Sequence, residues 1–172
     1  GELKTKPTQH SVKELRSLGI SPDVLICRSD KELPKDERNK IALFCSVPNK
    51  SVISMHDVDT VYSIPILLNK QKVDKTILEK LKIKSKNPQL NDWKRVVKAK
   101  LLPEKEVNVA FVGKYTELKD SYKSINEALE HAGIKNKTKV NINFVEAENL
   151  TTRNVNKILK KADAILVPGG FG

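Results

Sequence analysis

Between Lys84 and Glu106 the chain turns polar, with Asn87-Pro88 and Pro103 as breakers, and on either side short apolar runs alternate with helical periodicity. This two-sided alternation constrains the fold most. Parallel strands need crossover connections, usually helices, so such a pattern builds parallel sheets covered by helices. Upstream, Ser11 to Leu18 reads as a helix stopped by Gly19, Asp23 to Cys27 as a strand, and Asn39 to Cys45 as a helix. Val52 to Met55 reads as a second strand, and Ile64 to Leu68 as an apolar helical or turn segment. A short amphipathic helix, Asn91 to Leu101 around Trp93, interrupts the polar stretch, which reads as a linker. The α/β chain thus divides into residues 1–83, a linker at 84–106, and residues 107–172.

The second half restarts with the strand Val107 to Val112, closed by Gly113. Asp120 to His131 is expected as a helix ending at Gly133, Lys139 to Val145 as a strand, and Thr151 to Lys160 as a helix. Ala164 to Val167 is expected as a buried strand running into Pro168-Gly169-Gly170-Phe171-Gly172. A β-α-β-α-β series with right-handed crossovers follows. Because a sheet is an unnatural place to stop just past a strand, the expectation is a piece of something longer.

Charge narrows the function classes. Lys plus Arg exceed Asp plus Glu by 32 to 21, a formal net charge of +11, which draws polyanions and nucleotides toward the surface. The run Lys70, Lys72, Lys75, Lys80, Lys82, Lys84 and Lys86 nevertheless reads as a solvated face, since aromatic residues are only 5% and do not interleave with it. Apolar and charged fractions of 38% and 31% suit a soluble globular protein. No apolar run reaches the roughly 18 residues of a membrane span, and GELKTKPTQH lacks the apolar core of a signal peptide, so a cytoplasmic, membrane-free protein is expected. Cys27 and Cys45 lie in apolar stretches without metal-ligand spacing and read as buried, reduced thiols.

The first chemically suggestive segment is Lys4-Thr5-Lys6-Pro7-Thr8-Gln9-His10. In an extended segment Lys4 and Lys6 project to one side, with Pro7 biasing Lys6 toward that backbone. Hydroxyls from Thr5 and Thr8 and the amide of Gln9 complete a strip fit for a triphosphate and a base edge. An exposed basic strand end is the other reading of the same residues.

The run KTKPTQHSVKELRSLGI, then PDVLICRSD, ERNKIALFCSVP, VISMHDVDTVYSIP, FVGKY, DSYKSINEALEHAG and AILVPGGFG, resembles the CTP synthases in order and spacing along essentially the whole chain. The resemblance implies the C-terminal part of a Rossmann-like, P-loop type amidoligase domain over 1–83. After the linker it implies the N-terminal part of a flavodoxin-like class I glutaminase domain over 107–172. Lys4, Thr5, Lys6, Pro7, Thr8 and Gln9 match the segment that binds UTP and the inhibitor CTP, with Lys40 a further lysine there. Ammonium groups would neutralise the triphosphate oxygens. Arg28, His56, Asp57 and Val58 match the ATP-adenine contacts; Arg28 as an ordinary ion-pair residue and His56 as a surface histidine are their bland readings. No metal ligand is assigned, and His56 is not read as one. Gly169 and Gly170 match the oxyanion-hole loop of class I amidotransferases, and Gly169 also the glutamine contact. Tyr115 and Lys123 match positions near the domain interface where GTP acts.

The implied reaction is the ATP-dependent amination of UTP with nitrogen from glutamine or ammonia. Mg²⁺ accompanies the nucleotides, GTP activates, and a homotetramer builds the UTP site between subunits. The sequence departs from the pattern by lacking a GxxxxGK[ST] loop, the acidic Mg²⁺ ligands, and the catalytic cysteine with its histidine and glutamate. These residues alone are therefore expected to be inert. The competing expectations are a nucleotide-binding module without chemistry and a basic RNA-binding protein; specific nucleic-acid binding is not expected under the enzyme reading.

Overall fold

The computed structural model describes residues 4–117 and 119–169, which fall into two compact units, 1–94 and 95–172. It is mixed α/β with two parallel sheets, one in each unit.

The first unit begins with helix α1 (Lys6–Ser17), earlier than expected. Pro7 sits in the first turn, where its missing N–H has no intrahelical partner to lose and its fixed φ suits the helix. The extended reading of Lys4 to Gln9 is therefore corrected: from Lys6 onward this strip is helical. Strands β1 (Leu25–Ser29) and β2 (Val52–His56) pair in parallel, with Leu25 opposite Val52 and Ser29 opposite His56. Helix α2 (Lys35–Phe44) connects them and faces the core with Ile41 and Ala42. These two join Val12, Leu33, Cys45, Val47 and Val52 in one buried cluster, against which Leu25 and Cys27 pack. Each buried aliphatic side chain contributes about 1.5–3 kcal/mol.

Helices α3 (Ile64–Lys70) and α4 (Val73–Leu81) complete the unit. The second was hidden in the lysine run. Val73 and Thr76, one turn apart, are buried, while Lys75, Glu79 and Lys80 face water. Gln71, between the two helices, substitutes for a third strand. Its side-chain oxygen accepts from Ser54 N at 2.9 Å, and its amide donates to Ser54 O at 2.8 Å.

Helix α5 (Asn91–Leu101) has the expected bounds, and the Trp93 indole donates to Tyr62 O at 2.5 Å. In the second unit, β3 (Lys105–Gly113), α6 (Lys123–Lys135), β4 (Thr138–Glu146), α7 (Val155–Leu159) and β5 (Ala164–Leu166) give a parallel sheet of order β4-β3-β5. The central strand carries the core, Val109 to Val112, with Phe111 fully buried. Two expectations fail here. Gly133 does not end its helix: α6 runs on to Lys135, and Gly133 is buried because a Cβ there would lie 2.5 Å from Thr138 O. Nor is the last strand buried, for β5 is an edge strand with Ile165 and Val167 exposed. Helix α7 is also shorter than the Thr151 to Lys160 periodicity suggests, because Asn154 folds back on the loop before it.

Candidate functional site

In open parallel sheets, ligands bind beyond the carboxyl ends of the strands, where backbone groups fan out and loops converge. In the first unit that edge holds Arg28 and Ser29 from β1 and His56 from β2, with Asp57 and Val58 following directly. Parallel pairing thus brings together the four residues assigned to adenine. Asp57 N donates to Ser29 O at 3.1 Å, extending the ladder past the strand end. The Arg28 guanidinium pairs with the Asp57 carboxylate and donates through Nη1 to Ser29 O at 2.9 Å. Arg28 is thus a cross-strand ion-pair residue here, as its bland reading had it, though sequence reading did not name Asp57 as the partner. Both side chains are more than half exposed, so the pair contributes little to stability and leaves both polar groups at the surface. His56 is half-buried, and its Nδ1 has no hydrogen-bond partner among the described residues.

The second group lies on α1. Thr5 precedes the helix, buried, and its hydroxyl accepts from the Gln9 amide at 3.1 Å rather than capping the helix. The free first-turn N–H groups, flanked by exposed Lys4 and Lys6, form an electropositive end suited to an anion. Pro7 is exposed and Thr8 half-buried. Lys40 projects from α2 into solvent, and no hydrogen bond joins it to residues 4–9 among the described residues. Cys27 and Cys45 are free thiols with neutral character. Burial pushes both above the ordinary thiol range, for Cys27 with help from Cys45, so neither is an activated nucleophile.

In the second unit the strand order reverses direction at β3, since β4 lies on one side and β5 on the other. The crevice at such a switch point opens between the ends of β3 and β5. There a Cβ on Gly113 would stand 3.1 Å from the Tyr122 hydroxyl and 3.4 Å from Pro168 Cγ. Gly169 follows Pro168, and among the described residues nothing lies within 4 Å of where its Cβ would be. Its φ is not left-handed, so among the described residues neither backbone nor neighbours require glycine there. Gly170, Phe171 and Gly172 lie outside the described residues.

The loop after β3 is held from two sides. The Tyr122 hydroxyl donates to Lys114 O at 2.5 Å, its ring edge-to-face on Phe111 at 4.7 Å. Glu146 Oε2, at the end of β4, accepts from Thr116 N at 3.1 Å and Thr116 Oγ1 at 2.9 Å. Sequence reading missed both ties; the FVGKY and DSY segments carried the signal only as resemblance. Tyr115 stands exposed between them, and Lys123 is exposed at the start of α6.

No helix among the described residues is long and apolar enough to cross a membrane. Nor do three His, Cys, Asp or Glu side chains gather as metal ligands among them. Compared with known families, residues 1–83 match the model described as CTP synthase N-terminus, 83 of the 172 residues. In this N-terminal region, which holds both the Arg28–Asp57 strand ends and the Lys4–Gln9 helix start, the chain is similar to the CTP synthases.

Proposed function

We propose that the protein is a CTP synthase, a ligase that aminates UTP at the expense of ATP, and that residues 107–172 open its glutamine amidotransferase domain. The observation that carries the reading is the family match over residues 1–83. ATP phosphorylates the O4 oxygen of UTP, releasing ADP, and ammonia attacks C4 as inorganic phosphate leaves. Hydrolysis of glutamine to glutamate supplies the ammonia. Residues 1–83 are the C-terminal part of the synthetase domain, and 84–106 form a linker to the glutaminase domain. Mg²⁺ accompanies the triphosphates, held by residues other than those described. The enzyme works in the cytoplasm as a homotetramer, is activated by GTP and inhibited by CTP.

Lys4 and Lys6, with the open N–H groups of α1, hold the triphosphate of UTP or CTP, and Thr5, Pro7, Thr8 and Gln9 line the base and ribose side. A helix start serves this better than a strand, because its dipole adds to the two ammonium charges. Lys40 joins them from α2 when the nucleotide is bound. Arg28, with His56, Asp57 and Val58, takes the adenine of ATP at the strand ends, using backbone groups as a base-edge reader. Gly169 and Gly170 turn N–H groups toward the oxyanion of glutamine hydrolysis, and Tyr115 and Lys123 respond to GTP.

The test is CTP formation by the full-length protein from UTP, ATP and Mg²⁺, once with ammonia and once with glutamine plus GTP. Product in both arms supports the whole reading. Product with ammonia alone retains the synthetase and removes the glutaminase assignment; no product in either arm overturns the proposal.

A further inference from the structure

The loop after β3 is constrained beyond what a simple turn between β3 and α6 needs. Tyr115 adopts φ +57°, a left-handed conformation that bulky L-residues avoid. It persists because both flanking residues are tied: Lys114 through its carbonyl to Tyr122, and Thr116 through backbone and side chain to Glu146. The tie to Glu146 crosses from the end of β3 to the end of β4. One carboxylate oxygen accepts both Thr116 bonds, and Thr116 itself is buried, so water does not readily replace the partner. Gly113, the last residue of β3 and the one from which the loop departs, abuts Pro168, one residue before Gly169. The loop therefore leaves β3 at the strand end that faces Pro168 and Gly169, where the switch point lies.

We infer that Glu146 is a positioning residue: through Thr116 it fixes the 114–117 loop in the shape that the ligand of the β3–β5 crevice requires. Under the proposed function, on which this rests, that ligand is glutamine. Glu146 touches no reacting atom; it sets the loop against which the amide is held. Losing it loosens glutamine binding and leaves the ammonia-dependent reaction, which bypasses the crevice, untouched.

Steady-state kinetics of the full-length protein test this with Glu146→Ala, Glu146→Gln and Thr116→Val. Glu146→Ala is expected to raise KM for glutamine at least about tenfold, with ammonia-dependent CTP formation within about twofold of the parent. Glu146→Gln keeps an acceptor oxygen and should recover most of the affinity, whereas Thr116→Val, losing one of two bonds, should fall between. Equal loss in the ammonia arm, or an unchanged KM for glutamine, overturns the inference. If the parent itself makes no CTP from glutamine, the functional reading fails separately. Amide exchange then decides the positioning role: faster exchange confined to residues 114–117 in Glu146→Ala upholds it, and unchanged exchange there overturns it.

Discussion

Two glycines of the second unit illustrate how differently the same residue can matter. A methyl group on Gly133 would press against the Thr138 backbone oxygen at 2.5 Å and Val140 at 3.0 Å. Alanine gains about 1 kcal/mol of helix propensity there, but moving β4 away from α6 costs about 1–3 kcal/mol. Gly133→Ala should thus lower unfolding stability by up to about 2 kcal/mol in urea titration, and a stabilised variant would refute the contact. Gly169 meets nothing within 4 Å among the described residues, so Gly169→Ala should leave the urea midpoint unchanged; under the proposed function its methyl group would occupy space meant for glutamine, cutting glutamine-dependent activity and sparing the ammonia arm. A lowered midpoint would locate its role in the fold instead. The thiols give a third residue-scale outcome. Cys45 is fully buried and both thiols are held above their ordinary range, so iodoacetamide at neutral pH should label Cys45 only after denaturation. Labelling in the native state as fast as in urea would contradict that burial.

At the scale of elements, β2 shows how a two-stranded sheet keeps an interior edge satisfied. Ser54 is buried, and its N–H and C=O would be orphaned without the Gln71 amide, itself held by Arg38 Nη2 at 3.3 Å. Gln71→Ala should cost about 2–3 kcal/mol, more than Gln71→Glu, which keeps the acceptor. Equal, negligible effects of both substitutions would mean that water replaces the side chain. The start of α1 shows why local rules were misread: Pro7 does bias the preceding residue toward extended backbone, yet in the first turn its fixed φ favours the helix. Helix α4 was obscured for another reason. Lysines fill its outward positions, so composition suggested a solvated run, and only Val73 and Thr76 reveal its buried side.

For the whole molecule, exposed ion pairs are spread over both units and link charge to stability. Glu79 is held below its usual range by a hydrogen bond from Lys50 and its charge, and Glu104 likewise by Lys137. A hydrogen bond from Asn141, then the charge of Lys139, does the same for Glu106. Lowered folded values mean that this stabilisation is present above the ordinary glutamate pKa of about 4.3 and is lost as pH falls through the folded values. The urea midpoint should drop between pH 5 and pH 3, and the drop should shrink in about 0.5 M salt because exposed pairs are screened. A midpoint flat over that range would show that these pairs contribute nothing. The sequence by itself determined the α/β alternation, the strands β1 to β4 within a few residues, and the helix at Asn91–Leu101, because apolar periodicity and glycine or proline breakers are local signals. It also supplied the family resemblance that drew attention to Arg28, His56 and Asp57. Only the tertiary structure decided that Arg28 meets Asp57, that Gln71 serves β2, that Gly133 is packing rather than a stop, and that Glu146 reaches Thr116. Those contacts join residues far apart in the chain or depend on which neighbour approaches, and parallel strand register, invisible to local pattern, brings them together.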